Sequence, residues 1–504
     1  MEIDPKVVGG LVCLLLVGAG IKAKQSSKAS GNLPLPPSPP ATHWWWGHEV
    51  PAQYGWLKVE EWINEYGPVI SIRQGRETVV IVGRHQAAID IMEKQGGSTL
   101  DRPSTVAAGD ILSGGYRFAF TPGGERFRRM RRAVHTHLQP KAAEKYELMQ
   151  MDHAKDTILD LINDPSKYGL HATRYASSVI QKVTYGKTSP TSADDPEVQQ
   201  VRLSLDRLRY AMRPGRYLVD TLTFLKYIPW YGRELKKWNA EDRQLYTGQL
   251  NKVKNQLDNN EDTGPSFGKY LLENKTETGL TEMEMAYLAG GFFAAGSDTT
   301  AVAICIMIVS AATHPEAQAK VQAELDSVVG LQRAPTFADI DNVPRLQAFI
   351  LESFRWRPVA STGLPHRANK DIIWGNYFIP AGTTVVGNHW AISRDPDVYP
   401  NPDSFQPERW LDSQGKIKDN IKFPTYGFGR RVCAGQHVAN RSVYINTVLI
   451  LWAFRLSLCD PSEAVDDMAF AAGAIPSVIP KISFAKRMDE DKLRYMMETY
   501  AEGL

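Results

Sequence analysis

Of the four cysteines in this chain, Cys433 stands where a thiolate would form. It lies in the segment Phe423–Gly435, FPTYGFGRRVCAG, a glycine-rich turn that runs straight into the apolar stretch Val438–Phe454. That stretch reads as a buried helix, so the sulfur sits just before a helix N-terminus. Backbone N–H groups and the helix dipole stabilise an anion there and lower a thiol pKa, as a metal-ligating cysteine requires. Gly427 and Gly429 permit the tight turn that aims those N–H groups at sulfur. Gly435, without a side chain, lets the backbone approach a flat macrocycle closely. A lone cysteine in a glycine-rich loop is more often structural, but the order of turn, cysteine and helix favours a ligand. Cys13, Cys305 and Cys459 are scattered without CxxC spacing. No clustered Cys/His set accompanies Cys433, which weighs against zinc and against a nucleophilic cysteine.

The run Tyr426-Gly427-Phe428-Gly429-Arg430-Arg431-Val432-Cys433-Ala434-Gly435 resembles the cysteine-loop signature of cytochromes P450. The resemblance implies haem b as cofactor, with Cys433 as axial ligand of its iron. The family usually has Phe at the position of Tyr426. Tyrosine keeps an aromatic shield near the sulfur and adds a hydroxyl able to alter hydrogen bonding around the thiolate, and so its redox potential.

A second break in local rules lies at Ala295-Gly296-Ser297-Asp298-Thr299-Thr300, inside the long apolar stretch Thr281–Thr313. A glycine, an acid and two β-branched alcohols all work against helix there. Thr299 can bond the carbonyl one turn back and bend the helix to open a groove for dioxygen, and Asp298 with Thr299 can relay protons. The same residues would also suit an N-cap between two shorter helices. The resemblance assigns them to oxygen activation.

Glu352 and Arg355 stand at i and i+3 on a helix predicted over Val343–Trp356 and can pair. The resemblance adds Arg409, in Pro407-Glu408-Arg409-Trp410, as third member of a structural trio that pins the loop beneath the haem. Gly123–Arg132, GGERFRRMRR, resembles the helix carrying a Trp-x-x-x-Arg pattern, with Phe127 in place of the tryptophan and Arg131 as the arginine that binds a haem propionate. The lost indole N–H must be replaced, and His366 and Arg431 are the family-matched candidates. Arg128, Arg129 and Arg132 form either a solvated face or part of a basic surface for an acidic flavoprotein reductase. The resemblance spans nearly the whole chain, and Leu100-Asp101-Arg102-Pro103 with the text to Arg132 leans towards fungal members.

The elements that must position these groups are mostly helical. Apolar residues recur at three and four over Gly124–Leu138, Lys141–Ile162, Thr281–Thr313, Pro315–Val329 and Val343–Trp356. Strand signals are confined to Val69–Arg73, Thr78–Val82 and Ile372–Val386, the last interrupted by turns at Gly375-Asn376 and Pro380-Ala381-Gly382. Asp395–Asp412 reads as an ordered irregular loop. The expected class is mainly α with a small β part, in a cytochrome P450 fold with a long central helix over the haem and the cysteine loop beneath it. Residues 49–504 form the catalytic domain.

Val7–Ile21 carries no charge, Glu2 and Asp4 precede it, and Lys22, Lys24 and Lys28 follow it. That asymmetry favours an uncleaved membrane anchor over residues 1–30, with the body in the cytosol, above a signal peptide or a buried helix. Residues 31–48 then form a linker, in which Leu33–Pro40 acts as a semi-rigid spacer and Trp44, Trp45 and Trp46 suit a membrane interface, a core or a channel mouth. A net charge of +2 gives no reason to expect nucleic acid.

Together these imply a membrane monooxygenase of the endoplasmic reticulum, in secondary metabolism. It would insert one oxygen atom into a small apolar substrate, with electrons from an NADPH–cytochrome P450 reductase and cytochrome b5 as a further donor. No nicotinamide or flavin fingerprint occurs in the chain itself. Substrate-facing positions are expected at Phe292, Phe293, Ala295, Ala360, Leu364 and Ile475, largely apolar. A haem-thiolate isomerase or dehydratase, needing no reductase, and a non-catalytic haem-binding protein are the alternatives. Retention of Asp298 and Thr299 weighs against both.

Overall fold

In the computed structural model, the described residues are 33–187, 191–261, 264–419, 421, 424–462 and 465–500. The expected anchor over residues 1–30 and Phe423 of the cysteine loop lie outside them.

The body is mainly helical. Glu125–Leu138 (α1), Glu147–Asn163 (α2), Tyr168–Tyr185 (α3), Pro196–Ala211 (α4), Arg233–Asp258 (α5), Glu282–Thr313 (α6), Pro315–Val328 (α7), Pro344–Trp356 (α8) and Gln436–Ala453 (α9) build the main layer. The single helix expected over Lys141–Ile162 is two, Pro140–Glu144 and α2, with Lys145 and Tyr146 between them. Pro315 and Pro344 open α7 and α8, where a missing N–H costs nothing.

The helix α6 is the axis of the core. It starts with a capping box, Thr281 Oγ1 accepting from Glu284 N–H while the Glu284 carboxylate accepts from Thr281 N–H. It then runs unbroken to Thr313, so the reading of Ser297–Thr300 as a cap between two helices is corrected. The hydroxyls there are absorbed within the helix, Ser297 Oγ donating to Phe293 O at 2.7 Å and Thr299 Oγ1 to Ala295 O at 2.7 Å. Although α6 is long and apolar enough to cross a bilayer, most of it is enclosed by other helices.

The β part is small. β1 (Val69–Gln74) and β2 (Glu77–Val82) form a hairpin, and β2 pairs in parallel with Thr384–Gly387, which also pairs with His366–Arg367. The segment expected as short β pieces divides into Ile372–Trp374, Tyr377–Ile379 and Thr384–Gly387, with Gly375 and Gly382 turning at positive φ of 54° and 90°. Phe454–Leu458 and Ile482–Lys486 form a separate pair.

The proline-rich segment does not stand off the body. Ser71 N–H and Oγ donate to Pro37 O and Pro36 O at 2.7 Å each, and Phe378 N–H donates to Pro34 O at 2.8 Å. Proline carbonyls remain good acceptors although the ring nitrogens cannot donate, so the segment docks along strand edges instead of acting as a free spacer. Just beyond it, Trp44, Trp45 and Trp46 are 86%, 67% and 45% exposed.

Candidate functional site

The cysteine loop is closed by backbone bonds before any cofactor is considered. Cys433 N–H donates to Tyr426 O at 2.9 Å, Gly427 N–H to Pro424 O at 2.8 Å, and Gly429 N–H to the Glu93 carboxylate at 2.5 Å. Gly427 and Gly429 have φ of +78° and +59°. A Cβ on Gly429 would lie 2.4 Å from Met92 O, so glycine is required there on two counts. Gly435 caps α9, and a Cβ on it would meet no atom within 4 Å, so that side of the helix start is clear for a flat group.

Cys433 remains accessible to a water-sized sphere, yet protein surrounds it closely enough that burial pushes its thiol up. The two observations agree if the sulfur lines an internal hollow. The N–H groups of Gly435 and Gln436 and the Arg131 guanidinium oppose the shift.

Four basic side chains gather beside this loop. Arg431 is clamped, Nε donating to Leu100 O and Nη2 to Thr121 O at 2.7 Å each, with its guanidinium 3.6 Å above the Phe127 ring. Phe127 is buried and stacks on Phe118, keeping the shape of the family's tryptophan without its donor. Arg102 donates through Nη1 to Leu364 O and Pro365 O at 2.9 and 2.6 Å and through Nε to Ala119 O at 3.1 Å. His366 is buried with Nδ1 2.8 Å from Thr99 O.

Burial lowers all four. It takes His366 to about 4, with Arg102 and Arg431 as cationic neighbours. Burial and the adjacent Arg102 take Arg431 to about 9, burial takes Arg102 to about 10, and Arg131 is lowered by burial while Cys433 pulls it back. Among the described residues none of the three arginines forms a carboxylate ion pair. A cluster of guanidiniums with Asp101 as its nearby carboxylate but no ion pair to it, next to a thiol at a helix start, fits a macrocycle with two carboxylates. Arg102 is the member that sequence reasoning missed. Its role depends on carbonyls more than 260 residues away in the chain, which leave no local pattern.

On α6, Ala295 and Thr299 are exposed four residues apart, whereas Phe293, Ala294, Ser297, Asp298 and Thr300 are buried. One face therefore opens on a hollow. Phe293 points almost oppositely, 0% exposed against Tyr185, and Phe292 on the flank stacks on Phe267 at 4.6 Å. Phe293 is a core residue, which corrects its placement as substrate-facing, whereas Phe292 is half-buried and stands seven residues before Thr299 on the same side of the helix. Ala360 and Leu364 are exposed, and Ile475 lies against Gly169 of α3.

Asp298 is buried and ion-paired with Arg209 of α4. The same Nη2 donates to Gly473 O at 2.7 Å, and Nη1 donates to Asp206 at 3.0 Å. Nothing in the sequence singled out Arg209 from Arg202 and Arg207 of the same helix.

Glu352, Arg355 and Arg409 come together. The fully buried Glu352 accepts from Arg355 Nε and Nη2 at 2.8 Å each, from Arg409 Nε at 3.2 Å and from Trp410 Nε1 at 2.9 Å. Arg355 also donates to Pro402 O and Ser404 O, so the trio holds the irregular 395–412 loop. The hydroxyl of Tyr426 donates to Asn440 Oδ1 at 2.6 Å, which is where the loop's departure from the family pattern is satisfied.

The cytochrome P450 family model matches residues 36–484. Cytochrome P450 monooxygenase 113 of Postia placenta is 49% identical over 456 residues, covering 90% of this chain and 91% of the relative. Cytochrome P450 monooxygenase 64 of the same fungus is 50% identical over 446 residues, 88% of this chain and 90% of the relative. A cytochrome P450 monooxygenase of Armillaria gallica is 35% identical over 81% of this chain and 80% of its own length.

Proposed function

This chain belongs to the cytochrome P450 family of haem-thiolate monooxygenases, and from that premise we propose that it inserts one oxygen atom of dioxygen into a small apolar organic substrate, using NADPH electrons passed on by a separate flavoprotein reductase. The observation that carries the site assignment is Cys433 at the start of α9 beside the carboxylate-poor cluster of Arg102, Arg131, His366 and Arg431. Bound through a cysteine thiolate, haem b supplies the activation of dioxygen.

The remaining work falls to the chain's own side chains. Cys433 would hold the haem iron through its thiolate, and the N–H groups of Gly435 and Gln436 would temper its electron donation. Arg102, Arg131 and Arg431 would hold the propionates, whereas neutral His366 gives its single N–H to Thr99 O and packs beside them. Thr299 presents its hydroxyl on the open face of α6, and Asp298, the residue before it, anchored by Arg209, completes a pair able to move protons towards that face. Ala295, Ala360 and Leu364 line an apolar substrate site and exclude water from it. Glu352, Arg355 and Arg409 keep the proximal loop in place.

The reductase docks on the basic face that exposes Arg128, Arg132 and Arg430, with cytochrome b5 as a second donor. Residues 1–30 anchor the protein in the endoplasmic reticulum membrane, and the exposed Trp44–Trp46 run suits its interface.

The deciding experiment is the carbon monoxide difference spectrum of reduced wild type and Cys433→Ser. The expected result is a red-shifted Soret band that the substitution abolishes. A histidine-type band indifferent to the substitution would remove Cys433 from its role. Reductase-dependent NADPH consumption with substrate then separates the monooxygenase from an isomerase or a non-catalytic haem protein.

A further inference from the structure

The short helix Asp467–Ala472 and the Gly473 turn that ends it are held at both ends by arginines from distant parts of the chain. At the start, Arg357, the residue after α8, donates through Nε to Asp467 Oδ1 at 2.9 Å, with Nη2 2.8 Å from the same oxygen. The two side chains are only 12% and 18% exposed, and the Arg357 guanidinium lies 3.8 Å over the Trp356 ring, so the pair is shielded from water and fixed in direction. At the end, Gly473 O accepts from Arg209 Nη2 at 2.7 Å, and the same nitrogen pairs with Asp298 of α6.

Between these two holds the backbone has little slack. Phe470 and Ala471 are fully buried, and Ser361 N–H donates to Ala471 O at 3.4 Å. Gly473 turns at φ +80°, its N–H on Phe470 O at 3.3 Å, and a Cβ there would stand 3.3 Å from Val359 O. Packed segments of this kind pass a displacement on instead of absorbing it. A shift at Asp467 therefore reaches Gly473 O, and Arg209, which binds Gly473 O and Asp298 through one nitrogen, carries it to the acid.

We propose that Arg357 and Asp467 are positioning residues for Asp298: by fixing the start of the turn they set where Gly473 O stands, and hence how Arg209 presents the carboxylate beside Thr299. The proposal rests on Asp298 and Thr299 facing the bound haem. It puts the orientation of the acid under the control of an ion pair formed outside α6.

The test is a two-by-two set in the haem-loaded full-length protein, wild type, Asp467→Ala, Arg209→Ala and the double variant, each reduced and bound to carbon monoxide. The infrared stretch of the bound gas shifts with the field of the charges and dipoles on the Thr299 side, and it needs no organic substrate. Asp467→Ala is expected to move this band in the direction in which Arg209→Ala moves it, and to add nothing in the Arg209→Ala background. Amide exchange across Asp467–Ile475, measured with or without haem, is expected to quicken roughly fivefold on loss of the Asp467 carboxylate. An equal shift in both backgrounds, or an unmoved band in Asp467→Ala, overturns the proposal. Asp467→Asn, which removes the charge and keeps the volume, serves for the same comparison where Asp467→Ala does not fold. An Arg209→Ala band identical to wild type would instead overturn the reading of Asp298 on which the proposal rests, and the visible carbon monoxide spectrum of each sample reports Cys433 ligation separately.

Discussion

Arg209 and Asp298, 89 residues apart in the chain, form an ion pair that joins α4 to α6, and the same guanidinium reaches Gly473 O beyond it. The acid of the acid–alcohol pair is therefore not free in a cavity but fixed from α4. A carboxylate so held has one orientation relative to Thr299, and releasing it changes the geometry of proton delivery without removing the acid.

Arg209→Ala and Asp298→Asn should therefore differ in degree. Loss of the acid is expected to slow product formation by about 100-fold, the lower range for a positioned acid–base group. Loss of Arg209 is expected to cost roughly tenfold, as a positioning effect. In both, more of the NADPH consumed should end as peroxide. Product, peroxide and NADPH measured together check this, and full coupling in Asp298→Asn would remove Asp298 from proton handling.

Arg102→Leu tests the residue the sequence did not reveal. Each charge-assisted hydrogen bond to a propionate is worth about 1.5–3 kcal/mol, so haem transfer to an apoprotein acceptor should quicken by about tenfold or more. Arg128→Leu, on the exposed side of α1, should leave that rate unchanged. Identical rates for wild type and Arg102→Leu would place Arg102 outside the cofactor site.

Glu352→Gln removes the shared anion of a buried network and leaves Arg355 and Arg409 without a counter-charge. The expected loss of stability is about 3–5 kcal/mol, the scale for breaking a buried pair from one side. Denaturant unfolding checks it, and haem content should fall in parallel because Arg355 fixes carbonyls of the 395–412 loop.

His389 supplies a pH dependence with a definite sign. Burial takes its pKa to about 4, and its Nδ1 lies 3.1 Å from Ala360 O. The folded state thus resists a proton that the unfolded chain takes up near pH 6.5. Stability is unaffected above that value and is lost as pH falls from about 6.5 towards 4, by about 2 kcal/mol at pH 5. His389→Gln should flatten unfolding free energy between pH 7 and 5, and an unchanged slope would assign the dependence to other groups.

The sequence made the cysteine loop and the long central helix legible because both break local rules within a few residues: glycines at forced positive φ around Cys433, and alcohols with an acid inside an apolar helix. The Glu352–Arg355 pair was legible from helical spacing, and Arg409 only through family resemblance. Arg209 and Arg102 were not legible, since their partners are distant in sequence and one arginine in a basic helix looks like the next. Phe293 was misplaced because hydrophobicity does not say which side of an all-round apolar helix meets solvent or ligand; the exposed Ala295 and Thr299 set the phase. Leu33–Pro40 carried a linker's composition, but its carbonyls find donors on Ser71 and Phe378.

The gathering of Arg102, Arg131 and Arg431 also bears on how much of this protein a cell can keep. Like charges crowded in a poorly hydrated hollow repel one another until an anion arrives, so a chain that folds ahead of its prosthetic group is a weaker competitor against proteases than the loaded form. Scarcity of the macrocycle should then lower the standing amount of the polypeptide, and replacing one of these arginines by a neutral residue should lengthen the half-life of the empty chain while shortening that of the filled one.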